Sequence, residues 1–319
     1  MDHLILNYKP ILDSYCFVKE ESEEIVFFNR DTYITLNGDS VEDILDLIPL
    51  LSGELSTEQL AKKLELPIEY LCEIIKVLDE NNIIKNYDML EKYKFMDKDL
   101  QRYEKFISNL TGSVSSAFGD IEVTHTKKIV LMGNRELQEN LKKAFGTKFS
   151  FLEMSQIQNA SLIIAVDFFE NEDLFSEANE LSKSYGIPFL RALVQEQYYS
   201  IGPIFIFSET SCYNCFLSRK ITNCENSYLS YKYLKRYNSE WNETHISLIP
   251  GTIEMFSFQI LSFIMKYFSN CMTCEIIGKE FTYNVFSLNS NLNPVLKVPG
   301  CSKCGTFNKN IIKDFVLNS

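Results

Sequence analysis

The chain has 319 residues, 45% of them hydrophobic, and a formal net charge of -12. Such a length favours two domains, and no apolar run approaches the ~18 residues of a membrane span. The excess of negative charge weighs against phosphate backbones as partners.

Met1-Asp2-His3-Leu4 shows no basic stretch leading into an apolar block, so no secretory signal is read and a cytoplasmic protein is expected. The charge is uneven. Residues 1–90 hold 7 Lys/Arg against 19 Asp/Glu, which is the whole excess; residues 91–319 hold 24 of each sign.

Three β-rich runs come first: Ser14–Val18, Glu24–Phe28 and Thr32–Leu36, the last stopped by Asn37-Gly38. Asp39 or Ser40 can cap a helix carrying Ile44, Leu45, Ile48 and Leu51. Ser56-Thr-Glu-Gln59 reads as a capping box for a second helix. Pro67 opens a third, with Leu71, Ile74, Ile75 and Leu78 on one stripe, and Ile83-Ile84 supplies a short wing strand. Three strands and three helices in this order predict a winged helix over residues 1–90.

Helix-turn-helix elements commonly read DNA. Here the recognition helix carries Glu69, Glu73, Asp79 and Glu80 against Lys76, whereas phosphate contacts need cations. Neither nucleic acid nor membrane is an expected partner. An edge strand instead offers unpaired N–H and C=O groups to an added strand. Thr32, Tyr33, Ile34, Thr35 and Leu36 form the candidate edge, with Tyr70, Glu73, Ile74 and Val77 of the third helix beside it. The apolar members of this set fit the small core equally well.

Residues 91–126 read as a polar, partly helical connector, with a loop at Thr111–Ser116. Strand and helix patterns then alternate over 127–319: strands at Lys128–Met132, Phe149–Leu152, Leu162–Val166 and Pro188–Val194, helices at Arg135–Phe145 and Asp173–Tyr185. This predicts a mainly parallel α/β sheet of nucleotide-binding type. Ile204–Phe207, a long apolar helix at Ile253–Phe268 and a strand at Thr282–Leu288 follow.

Chemistry-bearing motifs are few. Cys212-Tyr-Asn-Cys215 and Cys301-Ser-Lys-Cys304 are two C-x2-C couples, about 85 residues apart. Four thiolates make a closed tetrahedral zinc site, which is structural because no position stays open to substrate. Cys271-Met-Thr-Cys274 could replace one couple, and a redox-active C-x-x-C is a further reading; Cys16, Cys72 and Cys224 read as packing residues. The turn after the first strand of the α/β region keeps only Gly133, with Glu136 and Glu139 close behind, so neither ATP nor any other nucleotide cofactor is expected there. Asp167 ends a strand and reads as a loop cap or a functional carboxylate. His3, His125 and His245 join no catalytic pattern, and no catalytic residue is assigned.

Leu162–Asp167, the helix through Asn179 and Gly186–Leu190 resemble the ThiF/ubiquitin-activating superfamily. Ile201-Gly-Pro-Ile-Phe205, the first knuckle, Arg219 and the closing Pro299–Gly305 are similar to the ThiF-like partner proteins of azole-forming RiPP (ribosomally made, modified peptide) pathways, which make thiopeptides and bacteriocins. That resemblance implies an N-terminal winged-helix element that binds the leader of a precursor peptide as an added strand. It implies a YcaO-type cyclodehydratase as second partner, an enzyme that uses ATP to form thiazolines or oxazolines. It places Asp167 where adenylating relatives hold a metal. The expected protein is a non-catalytic adaptor with a zinc staple. The alternatives are an ATP-dependent adenylating enzyme that activates a carboxyl group, and a winged-helix regulator. The sequence leaves a homo-oligomer open.

Overall fold

The computed structural model describes residues 6–12, 16–21, 24–28, 33–81, 83–88, 98–111, 114–223 and 247–305. Thr32, His3, His245 and Cys224 lie outside the described residues, as do the first two positions of the predicted strand Ser14–Val18. The chain divides into two compact units, Met1–Ile121 and Glu122–Ser319.

In the first unit β1 (Pro10–Leu12) precedes an antiparallel three-stranded sheet of β2 (Cys16–Glu21), β3 (Glu24–Phe28) and β4 (Tyr33–Asn37), in that spatial order. Helices α1 (Val41–Leu47), α2 (Thr57–Leu64) and α3 (Ile68–Glu80) follow. The predicted capping box is present: the Ser56 hydroxyl accepts from the Gln59 N–H and the Gln59 side chain accepts from the Ser56 N–H. Ile25, Phe27, Leu47, Leu60, Leu71, Ile75 and Leu78 form the core beneath the sheet. β5 (Ile84–Asn86) does not extend the three-stranded sheet; it pairs antiparallel with β1, which the sequence reading missed. Helices α4 (Lys98–Thr111) and α5 (Val114–His125) occupy the predicted connector. The expected loop at Thr111–Ser116 is corrected: α4 runs to Thr111 and α5 begins at Val114. Their polar stretch is helical because it has an apolar side to bury, with Leu100, Ile107, Ala117 and Ile121 inside. Lys85 of β5 and Glu104 of α4 meet at 3.0 Å, both buried.

The second unit is a seven-stranded sheet with helices on both faces. Its strands are β6 (Lys128–Gly133), β7 (Ser150–Leu152), β8 (Leu162–Asp167), β9 (Phe189–Val194), β10 (Tyr198–Phe205), β11 (Lys279–Asn284) and β12 (Ser290–Pro294), in the order β12-β11-β10-β9-β8-β6-β7. The pairings among β7, β6, β8 and β9 are parallel, and those from β9 through β12 antiparallel. The expectation of a mainly parallel sheet is therefore corrected to a mixed one. A parallel neighbour needs a crossover of a dozen or more residues, and the short turns after β9 and β11 allow only antiparallel return. β8 and β9 are buried along their whole length, as strands covered on both faces must be. Helices α7 (Glu172–Tyr185) and α8 (Tyr213–Thr222) pack together on one face, through Phe175, Ala178, Tyr213 and Phe216. α9 (Thr252–Phe268) and α6 (Arg135–Phe145) pack together on the other, where Phe256 of α9 meets Tyr199 and Phe263 meets Phe281.

Gly133, the lone glycine of the β6–α6 turn, has φ 100°, and a Cβ there would sit 2.0 Å from the Val166 carbonyl oxygen. The glycine is thus required by the close approach of β6 to β8. Replacement Gly133→Ala is expected to lower the unfolding free energy by about 1–3 kcal/mol, read by urea denaturation; an unchanged midpoint would show that the turn tolerates a Cβ.

Candidate functional site

α8 begins directly at the first knuckle. Cys212 is its N-cap and Cys215 lies in its first turn, while the second knuckle arrives from the segment after β12. The four sulfurs of Cys212, Cys215, Cys301 and Cys304 all lie within 4.8 Å of one another. Cys212 Sγ is 3.8 Å from Cys215 Sγ and 3.7 Å from Cys301 Sγ, and Cys215 Sγ is 3.4 Å from Cys304 Sγ. A tetrahedron of ~2.3 Å Zn–S bonds has edges of about 3.8 Å, so the four thiols fit a zinc ion without rearrangement. Burial works against the Cys301 thiolate, but the backbone N–H groups of Cys304 and Lys303 and the adjoining thiols outweigh it, bringing its pKa down to about 7. The Val298 N–H donates to Cys215 Sγ at 3.3 Å, a contact of the kind that steadies a metal-bound thiolate. Gly305 closes the second knuckle by donating to the Cys301 carbonyl, and a Cβ on it would lie 2.4 Å from that oxygen.

Cys271 and Cys274 are not in this cluster. The Cys274 thiol is directed at the Phe263 carbonyl, 3.5 Å away, and burial raises its pKa to about 11. Cys72 is buried in the first unit.

A second feature of this region was not legible in the sequence. Arg191, in the middle of β9, is completely buried. Its Nε donates to Glu170 Oε1 at 2.7 Å and a terminal nitrogen donates to Glu170 Oε2. The other terminal nitrogen reaches Ser200 Oγ at 2.9 Å and the Gly202 carbonyl at 3.3 Å. The guanidinium lies over the rings of Phe216 (4.6 Å) and Phe175 (5.4 Å). Tyr213, between the two cysteines of the first knuckle, donates its hydroxyl to Glu170 Oε1 at 3.1 Å, and Lys220 of the same helix reaches Glu170 Oε2 at 3.0 Å. Burial opposes ionisation of Glu170, but the Arg191 and Lys220 charges outweigh it and hold the carboxyl down at about 2. Further along α8, Arg219 donates to the Leu296 and Lys297 carbonyls at 2.7 and 2.9 Å, fastening the strap that carries the second knuckle.

Several polar groups of the β6–α6 turn find partners within it. Asn134 N–H donates to the Val166 carbonyl at 2.9 Å, and the Asn134 side chain caps the Leu137 N–H at 3.3 Å. Gln138 donates to the Gly133 carbonyl at 2.8 Å, and the exposed Arg135 is paired with Glu139 at 3.1 Å. Asp167 is buried; its oxygens accept from the Phe168 N–H at 2.7 Å and from Asn171 Nδ2 at 2.9 Å.

In the first unit, among the described residues, β4 ends the sheet and is hydrogen-bonded within it to β3 alone. Tyr33, Thr35 and Asn37 are exposed, Tyr33 by 71%, while Ile34 and Leu36 turn inward against the core. Tyr70 donates its hydroxyl to Asp43 at 2.7 Å. Glu73 and Val77 are exposed on α3, whereas Ile74 is buried in the core and does not face solvent.

No family model matches the sequence, and no curated protein matches it. Solved structures do. The heterocyclase TruD superposes with a TM-score of 0.70 at 18% identity, covering 93% of this chain and 43% of that one. A heterocyclase in complex with substrate and cofactor gives a TM-score of 0.66 at 18% identity, over 93% of this chain and 39% of that one. E. coli MccB with ATP gives a TM-score of 0.53 at 12% identity, over 93% and 99%. The likeness establishes a shared fold. The chain spans less than half the length of the two heterocyclases and nearly the whole of MccB.

Metal analysis of the purified chain is expected to find about one zinc per chain, lost in Cys212→Ser and Cys301→Ser but kept in Cys271→Ser and Cys274→Ser. The opposite pattern would move the site to the other couple. Arg191→Met leaves Glu170 buried without its main counter-charge and is expected to cost about 3–5 kcal/mol in denaturant unfolding. Because Glu170 is held below its ordinary 4.5, its stabilisation is complete above that value and fades as pH falls toward 2. The Glu170→Gln variant is expected to flatten the stability–pH curve across that window; a curve as steep as the parent's would contradict the assignment.

Proposed function

We propose that this chain is a peptide-capturing partner protein of an azole-forming pathway. It binds the leader of a ribosomal precursor as a strand added to β4 and presents the core segment to a separate YcaO-type cyclodehydratase. On this reading residues 1–90 form a recognition element of winged-helix type, 91–126 a connector and 127–319 a ThiF-like body stapled by zinc at Cys212, Cys215, Cys301 and Cys304. The enzyme it serves closes Cys, Ser or Thr side chains to azolines, in a bacteriocin-type biosynthesis carried out in the cytoplasm.

The observation that carries the proposal is that, among the described residues, β4 pairs with β3 alone and leaves its other margin open. A peptide laid there gains main-chain hydrogen bonds without any sequence requirement. The exposed Tyr33 ring supplies a flat apolar contact. Tethering the leader raises the core peptide's local concentration at a docked enzyme, plausibly to about the mM range for a short flexible link. The fold shared with a heterocyclase solved with substrate is consistent with this setting.

The likeness to MccB solved with ATP favours a second reading, adenylation of a carboxyl group. Against it stands the β6–α6 turn, whose Asn134 N–H and helix cap are spent on Val166 and Leu137, and whose Arg135 is paired with Glu139 while Glu136 adds a negative charge.

The test looks beside the gene for a short Cys/Ser-rich reading frame and titrates its fluorescently labelled product with the purified chain. Saturable anisotropy is expected, with Tyr33→Ala weakening binding about tenfold and no ATP–pyrophosphate exchange by the chain alone. Exchange without peptide binding would replace this reading by the adenylating one. Full processing of the precursor by the cyclodehydratase without this chain would remove the presenting role.

A further inference from the structure

The margin of β4 is set in a surface of one sign. From Tyr33 to Ala61 the sequence carries six carboxylates and no Lys, Arg or His. α3 adds Glu69, Glu73, Asp79 and Glu80 against Lys76, and Lys76 is paired with Glu80 at 3.8 Å. Among the described residues Asp39, Asp46, Glu69 and Glu73 join no ion pair. Carboxylates without counter-charges concentrate cations around them.

Aromatic surface lies among these charges. Ile34 and Leu36 turn into the core, so Tyr33 and Thr35 stand on the opposite face of the sheet. There Tyr33 pairs directly with Phe28 of β3, with ring centroids 6.4 Å apart and both rings exposed. On the inner side Tyr70, Glu73 and Val77 follow one another at helical spacing and share one face of α3. Tyr70 packs on the same core as Ile34 and Leu36, and its hydroxyl donates to Asp43 in the first turn of α1.

A strand added to β4 points alternate side chains to these two sides. On the outer side they meet aromatic faces; on the inner side they meet Val77 and the Tyr70 ring beside the Glu73 and Asp43 carboxylates. An apolar side chain would cover the rings and leave the carboxylates uncompensated. An acidic one would add repulsion. Lys and Arg fit both parts, because the methylene stem covers apolar surface while the charged head reaches a carboxylate or a ring face.

We propose that the peptide captured at β4 is cationic, with Lys or Arg at alternate positions of the paired segment. The inference rests on the peptide-capture reading and adds the chemistry that selects the peptide. A basic leader is drawn toward this unit at long range, and an acidic one is turned away.

The test follows the anisotropy of the labelled product of the Cys/Ser-rich reading frame, titrated with the full chain. A second probe is the same product with every leader Lys and Arg replaced by Gln. Binding of the first probe should weaken about fivefold between roughly 50 and 300 mM NaCl. Glu73→Lys should weaken it about tenfold and Lys76→Gln tighten it about twofold, both with unchanged circular dichroism spectra. The Gln-substituted probe should bind about tenfold more weakly than the first and respond to neither salt nor Glu73→Lys. A leader without Lys or Arg that still binds through Tyr33, or binding indifferent to salt and to Glu73→Lys, would overturn the cationic assignment and leave strand capture standing. No binding by the parent chain would remove both. If Glu73→Lys misfolds, the salt response and Lys76→Gln decide.

Discussion

A guanidinium in the middle of a buried strand is the constraint around which the second unit is arranged. Arg191 cannot be neutralised and cannot reach water, so its partners must come to it. Glu170 arrives from the loop after β8, Ser200 from β10 and two aromatic faces from α7 and α8. Tyr213 and Lys220 then bind the same carboxylate from one helix, and that helix starts at Cys212. The register of the first knuckle is therefore fixed from the sheet side before any metal is considered. The four clustered thiols add the complementary constraint, bringing the strap behind β12, which Arg219 also fastens, against the first knuckle.

The β6–α6 turn bears on catalysis. A fold of this type commonly places phosphate at the turn after its first strand, where backbone N–H groups must stay free. Here the Asn134 N–H is taken by the Val166 carbonyl and the Leu137 N–H by the Asn134 side chain. Asp167, at the neighbouring strand end, is engaged by the Phe168 N–H and by Asn171. Among the described residues the three-stranded sheet ends in β2 and β4 and the seven-stranded sheet in β7 and β12.

Features governed by short spacing were legible in the sequence. The Ser56/Gln59 capping box, the strands β3, β4, β6 and β8, and the clustering of the two favoured cysteine couples follow from residues that interact locally or from ligand chemistry with few geometric solutions. Long-range pairing was not. Nothing near Arg191 in sequence announces Glu170, 21 positions earlier, or Glu280, 89 positions later. The antiparallel half of the sheet was obscured because β12, Ser-Asn-Leu-Asn-Pro, has almost no β-forming residues and is a strand only through its partner β11. Thr111–Ser116 reads as a loop because Gly and Ser dominate it, yet tertiary burial of Ala117 and Ile121 draws the following residues into a helix.

Peptide capture stands or falls on whether a strand is added at β4. Hydrogen–deuterium exchange of the chain with and without its precursor reads this directly. Slowed exchange concentrated in Tyr33–Asn37, with the amides of Gly133–Gln138 unchanged, is the result that strand addition requires. Protection confined to the β6–α6 turn, or none in β4 at saturating precursor, would contradict it.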